Sequence, residues 1–324
     1  MVFYRNTPKT ASQTASFHVR YHPDLFCYQI KIPIFGPNSR VMELFSINIA
    51  SFKADGGAMF GVVPKAIWSK YFKADEHNLI RIMLRSLVIK TDERVILIDN
   101  GIGEKQDEDY LQFLYIEEEE GLIEGLVSHN IQPQEVTDVI LTHLHFDHCG
   151  GGISFGWNRE PVAVFPNATY WTTERQWQNA MDPNPREADA YLSENLLPMQ
   201  ELGLLDFIEQ PGFFCPGVEL RMVHGHTPGQ LIPIIHYGKK TLVFGADLIP
   251  THGHIPVKYN MAYDIDVVRT MREKEEFLKE IIENDYVLMF QHDMEVECCR
   301  IKRTERGSYR MAESFTLKDF ISQS

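Results

Sequence analysis

Residues 141–152 read LTHLHFDHCGGG, and this run limits what the chain can be more than any other. Four side chains able to bind a metal, His143, His145, Asp147 and His148, fall within six positions. The preceding VTDVILTH reads as a buried strand that delivers His143 at its C-terminal end. Strand C-termini are where α/β sheets place their ligands. In an extended segment, residues 143, 145 and 147 share one side. The glycines that follow let the backbone turn tightly and start a helix close by. A loop of satisfied surface histidines needs none of this order, so a metal site is the expectation.

Three later segments fit the same logic. His226 lies in HGHTPGQ, ahead of a Pro-Gly turn and a strand; Asp247 follows the apolar run TLVFGA; His292 follows VLMF. Each alone is weak, because a single His or Asp at a strand end is more often a cap or a core residue. Together they bring the set to five histidines and two carboxylates, enough for two borderline cations if a solvent oxygen completes the site. A closed structural site has four protein ligands and no open position, so this set reads as catalytic.

Strand-like and helix-like stretches interleave along the chain. Strands are expected at 42–51, 79–90, 94–98, 161–165, 217–223, 230–236, 241–245 and 287–290. Helical stretches are expected at 107–129, 172–181 and 186–202, and Asp264 is placed to cap a long helix whose buried stripe is Val268, Met271, Leu278, Ile281 and Ile282. Asp99-Asn100-Gly101 reads as a turn. The pattern implies one α/β domain of sandwiched sheets with helices outside, over residues 41–324, preceded by an irregular arm, 1–40.

HLHFDH, then HTPG, then a strand-end Asp and a strand-end His, resemble the motifs of the metallo-β-lactamase superfamily in order and spacing. The resemblance implies a four-layer αββα sandwich with the site at one edge of its two sheets. It also implies that His143, His145 and His226 hold one metal, that Asp147, His148 and His292 hold the other, and that Asp247 bridges them. Zinc suits such imidazole and carboxylate ligands, as do cobalt, manganese or iron. Two cations sharing a water would make a hydroxide near neutral pH, able to attack an acyl carbon or a phosphorus. Asp147 and Asp247 are then the catalytic carboxylates, Asp147 as a proton carrier to the leaving group.

Branches of the superfamily separate on particular residues. Dizinc β-lactamases usually carry Cys where this chain has Asp247, and often lack the equivalent of His148. Glyoxalase-II-like thioesterases carry a helical C-terminal region, whereas only 32 residues follow His292. Residues 50–68 (ASFKADGGAMFGVVPKAIW) and 245–264 (GADLIPTHGHIPVKYNMAYD) resemble the N-acyl homoserine lactone lactonases and the methyl-parathion-hydrolase group. A lactone or small ester is therefore the expected substrate, with phosphotriester or phosphodiester hydrolysis as the alternative. Met59, Phe60, His252, Tyr259 and Tyr263 are the candidate substrate contacts, while Trp68 reads as core. Many of the lactonases place a tyrosine three residues after the bridging Asp; here that position is Pro250, with Thr251, His252, Tyr259 or Tyr263 as possible substitutes.

A net charge of −14 argues against a phosphate-backbone partner. Five cysteines without a CxxC pair read as reduced thiols, with Cys149 a small buried residue, and no apolar run has signal-peptide or membrane-span length. These features give a cytoplasmic expectation. The aromatic arm (Phe3, Tyr4, Phe17, Tyr21, Phe26, Tyr28) is a candidate contact with the chain's own core or with a second copy in a homodimer.

Overall fold

The computed structural model describes residues 42–106 and 108–322; the arm at 1–40, with its dimer expectation, lies outside them. In chain order the strands are β1 (Glu43–Asp55), β2 (Leu79–Lys90), β3 (Val95–Ile98), β4 (Glu117–Glu118), β5 (Asp138–Ile140), β6 (Ile153–Phe155), β7 (Pro161–Ala163) and β8 (Thr169–Thr172). They continue as β9 (Leu205–Phe207), β10 (Gly212–Cys215), β11 (Val218–Val223), β12 (Gln230–Tyr237), β13 (Lys240–Phe244), β14 (Val287–Met289), β15 (Cys298–Arg303) and β16 (Tyr309–Phe315). Two seven-stranded sheets result, ordered β4-β1-β2-β3-β5-β8-β9 and β10-β11-β12-β13-β14-β15-β16, with β6 and β7 as a separate ribbon.

Alternation along the strands of the first sheet explains the layering. Leu87 and Ile89 of β2, Ile96 and Ile98 of β3, and Ile140 of β5 face the second sheet and join its core. Their neighbours Val88, Val95, Leu97, Val139 and Leu141 face the other way, into a second apolar cluster. A strand buried on both faces needs this near-continuous apolar run, and β3, β5 and β14 have it. The long helix α1 (Val267–Glu283) packs Phe277, Leu278 and Ile281 against the second sheet. The architecture is the αββα sandwich expected.

Several boundaries differ from expectation. The stretch 107–129 breaks into short helical pieces and β4, because Tyr115 and Gly121 take left-handed φ values of 48° and 75° that no α-helix continues through. Residues 186–202 form a helix only from Ser193 to Glu201, and β8, β9, β10, β15 and β16 went unread because each is short or polar on one face. The cap of α1 is Asp266, whose carboxylate accepts from Arg269 N, and not Asp264. Its buried face includes Thr270 and Lys274, while Val268 is exposed. Among the described residues no helix is long and apolar enough to cross a membrane.

Candidate metal centre

Seven side chains converge at the C-terminal ends of the central strands. After β5 the chain runs extended through His145, which then precedes a one-turn helix, Phe146–Cys149. That turn is seated by close backbone approach. A Cβ on Gly150 would lie 1.8 Å from the Ile102 carbonyl oxygen, and one on Gly151 would lie 2.1 Å from that of Asn100. Only glycine permits these contacts, so the GGG run fixes the depth at which His148 is presented. His226 follows β11, Asp247 follows β13 and His292 follows β14. Ala246, just ahead of Asp247, sits at φ 39°, a strained conformation for a residue with a Cβ.

The side chains form two groups. His143, His145 and His226 make one; Asp147, His148 and His292 make the other, and His143, His148 and Asp247 also lie within mutual reach. Asp247 stands between: its Oδ2 is 3.2 Å from His226 Nε2 and 3.9 Å from His143 Nε2, while its Oδ1 is 3.0 Å from His292 Nε2 and 3.7 Å from His148 Nε2. Asp147 Oδ2 lies 3.5 Å from His148 Nε2 and 3.7 Å from His292 Nε2. One carboxylate thus addresses both groups, and the other serves the second.

The outer ring of hydrogen bonds fixes which nitrogen of each imidazole faces inward. His148 Nδ1 donates to Asp99 (2.9 Å), His226 Nδ1 to Asp264 (2.9 Å) and His292 Nδ1 to the Met83 carbonyl (2.7 Å). His143 Nδ1 donates to Thr142 Oγ1 (3.1 Å), whose own proton goes to Asp99 (2.7 Å). His145 is turned the other way: its Nε2 donates to Glu187 (3.0 Å), so its Nδ1 points to the centre. With the outer nitrogen protonated, each inner nitrogen carries a lone pair. His145 Nδ1 and His226 Nε2 are then 3.3 Å apart, lone pair towards lone pair, as are His148 Nε2 and His292 Nε2. Only positive charge between them relieves that opposition. His143 Nε2 is moreover buried without any hydrogen-bond partner, which a cation would supply.

Electrostatics agree. Burial pulls His143 well below its ordinary range, and the neighbouring histidines add to the effect, so it is neutral and able to ligate. Burial opposes charge on His148 as well, but Asp147, Asp247 and Asp99 outweigh it and carry the group up to about 10. Those carboxylates form a cage that demands positive charge, which a metal ion or a proton satisfies.

Asp99 and Glu187 escaped sequence reading, and Asp264 was assigned to a cap. Asp99 is fully buried at φ 55° and accepts from Thr142 N, Thr142 Oγ1, His148 and Gln291, joining the ends of β3, β5 and β14. Its only signal was the turn-like Asp-Asn-Gly. Glu187 belongs to an irregular excursion at 182–192; Tyr191 and Asn184 of that excursion and Asn179 of the preceding helix also donate to it, and nothing local in sequence marked it. Of the candidate substrate contacts, Met59 and Phe60 are buried. Phe60 stacks on Trp68 and on His254, so it backs the site and has no free face. His254 is itself buried: Thr251 and the Met59 carbonyl hold its two nitrogens. His252 Nδ1 is 2.5 Å from Asp293 Oδ2. Tyr259 meets Tyr71 edge-on, and Tyr263 is 45% exposed. Trp68 is core, and the Cys149 thiol donates to the Leu144 carbonyl, outside the converging set. Beside Asp147, Phe146 meets Phe52 and Tyr110 at ring-centroid distances of 6.3 and 5.8 Å, an aromatic wall the sequence did not reveal.

A mixed sandwich with His/Asp clusters suited to a pair of metal ions at one sheet edge defines a metal-dependent hydrolase. The chain belongs to the metallo-β-lactamase superfamily, whose family model matches residues 85–292. An N-acyl homoserine lactonase of Bacillus cereus is 25% identical over 233 residues, 68% of this chain and 85% of that protein. A second N-acyl homoserine lactonase, from a Bacillus species, is 26% identical over 65% of this chain and 81% of its own length. Among solved structures, a probable metal-dependent hydrolase from Staphylococcus aureus superposes with a TM-score of 0.75 at 30% identity, covering 85% of this chain and 98% of the other. AidC, a dizinc quorum-quenching lactonase, shares the fold with a TM-score of 0.70 at 20% identity, over 86% of this chain and 98% of its own.

Proposed function

We propose that the protein opens a lactone or hydrolyses another small ester at a two-metal centre, with an N-acyl homoserine lactone-type substrate favoured and zinc the expected metal. A quorum-quenching role follows from that substrate. The observation that carries the two-metal reading is Asp247, whose two oxygens face two separate histidine groups, each imidazole locked with a lone pair inward. His143, His145 and His226 would hold one ion, Asp147, His148 and His292 the other, and Asp247 would bridge. Two such cations supply an acidified water and Lewis acidity at the substrate's carbonyl oxygen.

The chain's own groups do the rest. Asp147 is the half-buried carboxylate of the set, 13% exposed at its side chain, and sits where a leaving oxygen could take its proton. Phe52, Phe146 and Tyr110 offer an apolar surface beside it, suited to an acyl chain. Tyr259, Tyr263 and His252, on the loop after Asp247, are assigned to the opposite wall. Similarity to the Bacillus lactonases supports this substrate class.

The test is hydrolysis by the zinc-loaded protein of short and long acyl homoserine lactones, an aryl ester and a phosphotriester, with His143→Ala and Asp247→Asn as blanks. Lactone opening that both substitutions abolish is the expected result. Turnover of the phosphotriester alone would replace this reading with the alternative one.

A further inference from the structure

A cavity of about 260 Å³ lies on the outer face of the first sheet, within the second apolar cluster. Ala50 of β1, Leu84 of β2, Ile102 and Ile153 form its buried walls, and Leu122 and Ile123 of the short helix Leu122–Ser128 pack over them. Glu104 and Glu124, both exposed, stand at its mouth. None of the residues lining it belongs to the seven converging side chains or to the aromatic wall beside Asp147.

Asn100 is the polar exception on the inner wall. Its side chain is 1% exposed, and neither Oδ1 nor Nδ2 has a hydrogen-bond partner among the described residues. The turn it sits in is built without that amide. The Asp99 carboxylate accepts from Thr142 N, Thr142 Oγ1, His148 and Gln291, and the Asn100 backbone N–H donates to the His148 carbonyl at 2.9 Å. Gly152 leaves the amide its space, since a Cβ there would lie 2.9 Å from Nδ2. A buried amide with both atoms unpaired costs stability, whereas an apolar side chain of the same shape does not.

The amide dictates what satisfies it. Oδ1 needs a donor and Nδ2 an acceptor, side by side, and a carboxamide presents both. A carboxylate has no donor for Oδ1 and meets Glu104 and Glu124 at the entrance. The apolar walls call for an aliphatic chain on that group. An engineered apolar cavity of about 150 Å³ takes up benzene, so the larger space here accommodates a chain of about six carbons. We propose that this cavity is a binding site for an uncharged amide carrying a short aliphatic chain, recognised by Asn100. The inference is independent of the hydrolase reading.

The probe is hexanamide, titrated calorimetrically into the zinc-loaded protein, with hexanoate as its anionic counterpart. Hexanamide is expected to saturate a single site, and hexanoate to bind at least about tenfold more weakly because its charge would be buried unpaired. Asn100→Leu removes both hydrogen-bonding atoms and is expected to weaken hexanamide binding roughly 10- to 100-fold. Ala50→Leu adds bulk to a buried wall of the cavity while sparing Asn100, and is expected to abolish binding. It keeps the test decisive if Asn100→Leu does not fold, and circular dichroism establishes which variants are folded. Absence of saturable hexanamide binding to wild type overturns the proposal. Binding of wild-type strength in either folded variant overturns it as well, because the ligand would then lie elsewhere or be held without the amide. Hexanoate binding as tightly as hexanamide also overturns it.

Discussion

Glu187 and Asp147 act on the same imidazole cluster from opposite sides, one fixing the orientation of His145 and the other reaching outward. Glu187 alone accounts for His145 presenting Nδ1, since it holds Nε2 at 3.0 Å. Removing its charge while keeping its shape loosens that orientation. Glu187→Gln should therefore weaken metal retention roughly 10- to 100-fold with the fold unchanged, because partners of metal-binding histidines carry about that much of the affinity. Chelator competition against the wild type measures it, and equal retention would remove Glu187 from the centre. Asp147 is different, because it is partly open to solvent and lies against both His148 and His292. Asp147→Asn with both metals still bound should lose roughly 10²- to 10⁴-fold in kcat if the carboxyl carries a proton to the leaving group. Full activity with two metals bound would refute that role.

Helix α1 shows what sequence patterns can and cannot convey. Leu278 and Ile281 of the expected stripe are buried, but the stripe continues through Thr270 and Lys274. A periodicity argument cannot find a buried lysine, because its reason lies elsewhere in the chain. The loop after Asp247 turns the carbonyls of His254 and Tyr259 and the Asn260 side chain towards the helix, and Lys274 Nζ serves all three at 3.1, 2.7 and 2.9 Å. The same limit explains the candidate site. The seven converging residues were legible because four crowd into six positions after one apolar strand and the other three follow later strands, whereas Asp99, Glu187 and Asp264 are set by tertiary contacts and carried only turn, loop or cap signals. Phe60 was misleading in the other direction: an apolar residue in a Gly-rich connection resembles a pocket wall, yet both its faces are taken.

Lys274 also yields a test at this scale. Burial pulls its ammonium from 10.5 down to about 8, with Asp264 opposing. Between those values the unfolded chain keeps a proton that the folded chain has released. The unfolded state then binds more protons, so the contribution of Lys274 to stability rises with pH from about 8 to about 10.5. A shift of that size corresponds to about 3 kcal/mol at most. Denaturant unfolding of wild type and Lys274→Met at pH 7.5 and pH 10 isolates the effect, since other titrations cancel in the difference. The stability gap between them should widen in favour of wild type at the higher pH. A gap that stays constant would mean the three acceptors fully replace water around the ammonium.

At the scale of the whole molecule, the centre is also a joint between the two sheets. The first sheet supplies His143, His145, Asp147 and His148 from the segment after β5, and the second supplies His226, Asp247 and His292. Direct ties already cross at this edge: Leu231 N to the Thr142 carbonyl (2.7 Å), Gln291 to Asp99 (2.8 Å), and the Arg85 guanidinium to the carbonyls of Phe290 and Asp293 (2.6 and 3.0 Å). Cations bound by both sheets would add to these, and their binding energy would appear as folding energy because the unfolded chain has no such cage. An ion at a thousand times its Kd contributes about 4 kcal/mol, which for a domain of this size is a Tm difference on the order of ten degrees. Chelation should lower the Tm by about that amount, and restoring zinc should recover it. Asp247→Asn should lose most of the zinc-dependent part, since the residue bridging the two groups also bridges the sheets. A Tm indifferent to chelation, in protein shown to have lost its metal, would mean that the existing cross-sheet hydrogen bonds suffice and that the inward lone pairs are held against one another by the fold alone. That outcome would separate the catalytic demand for metal from the structural one.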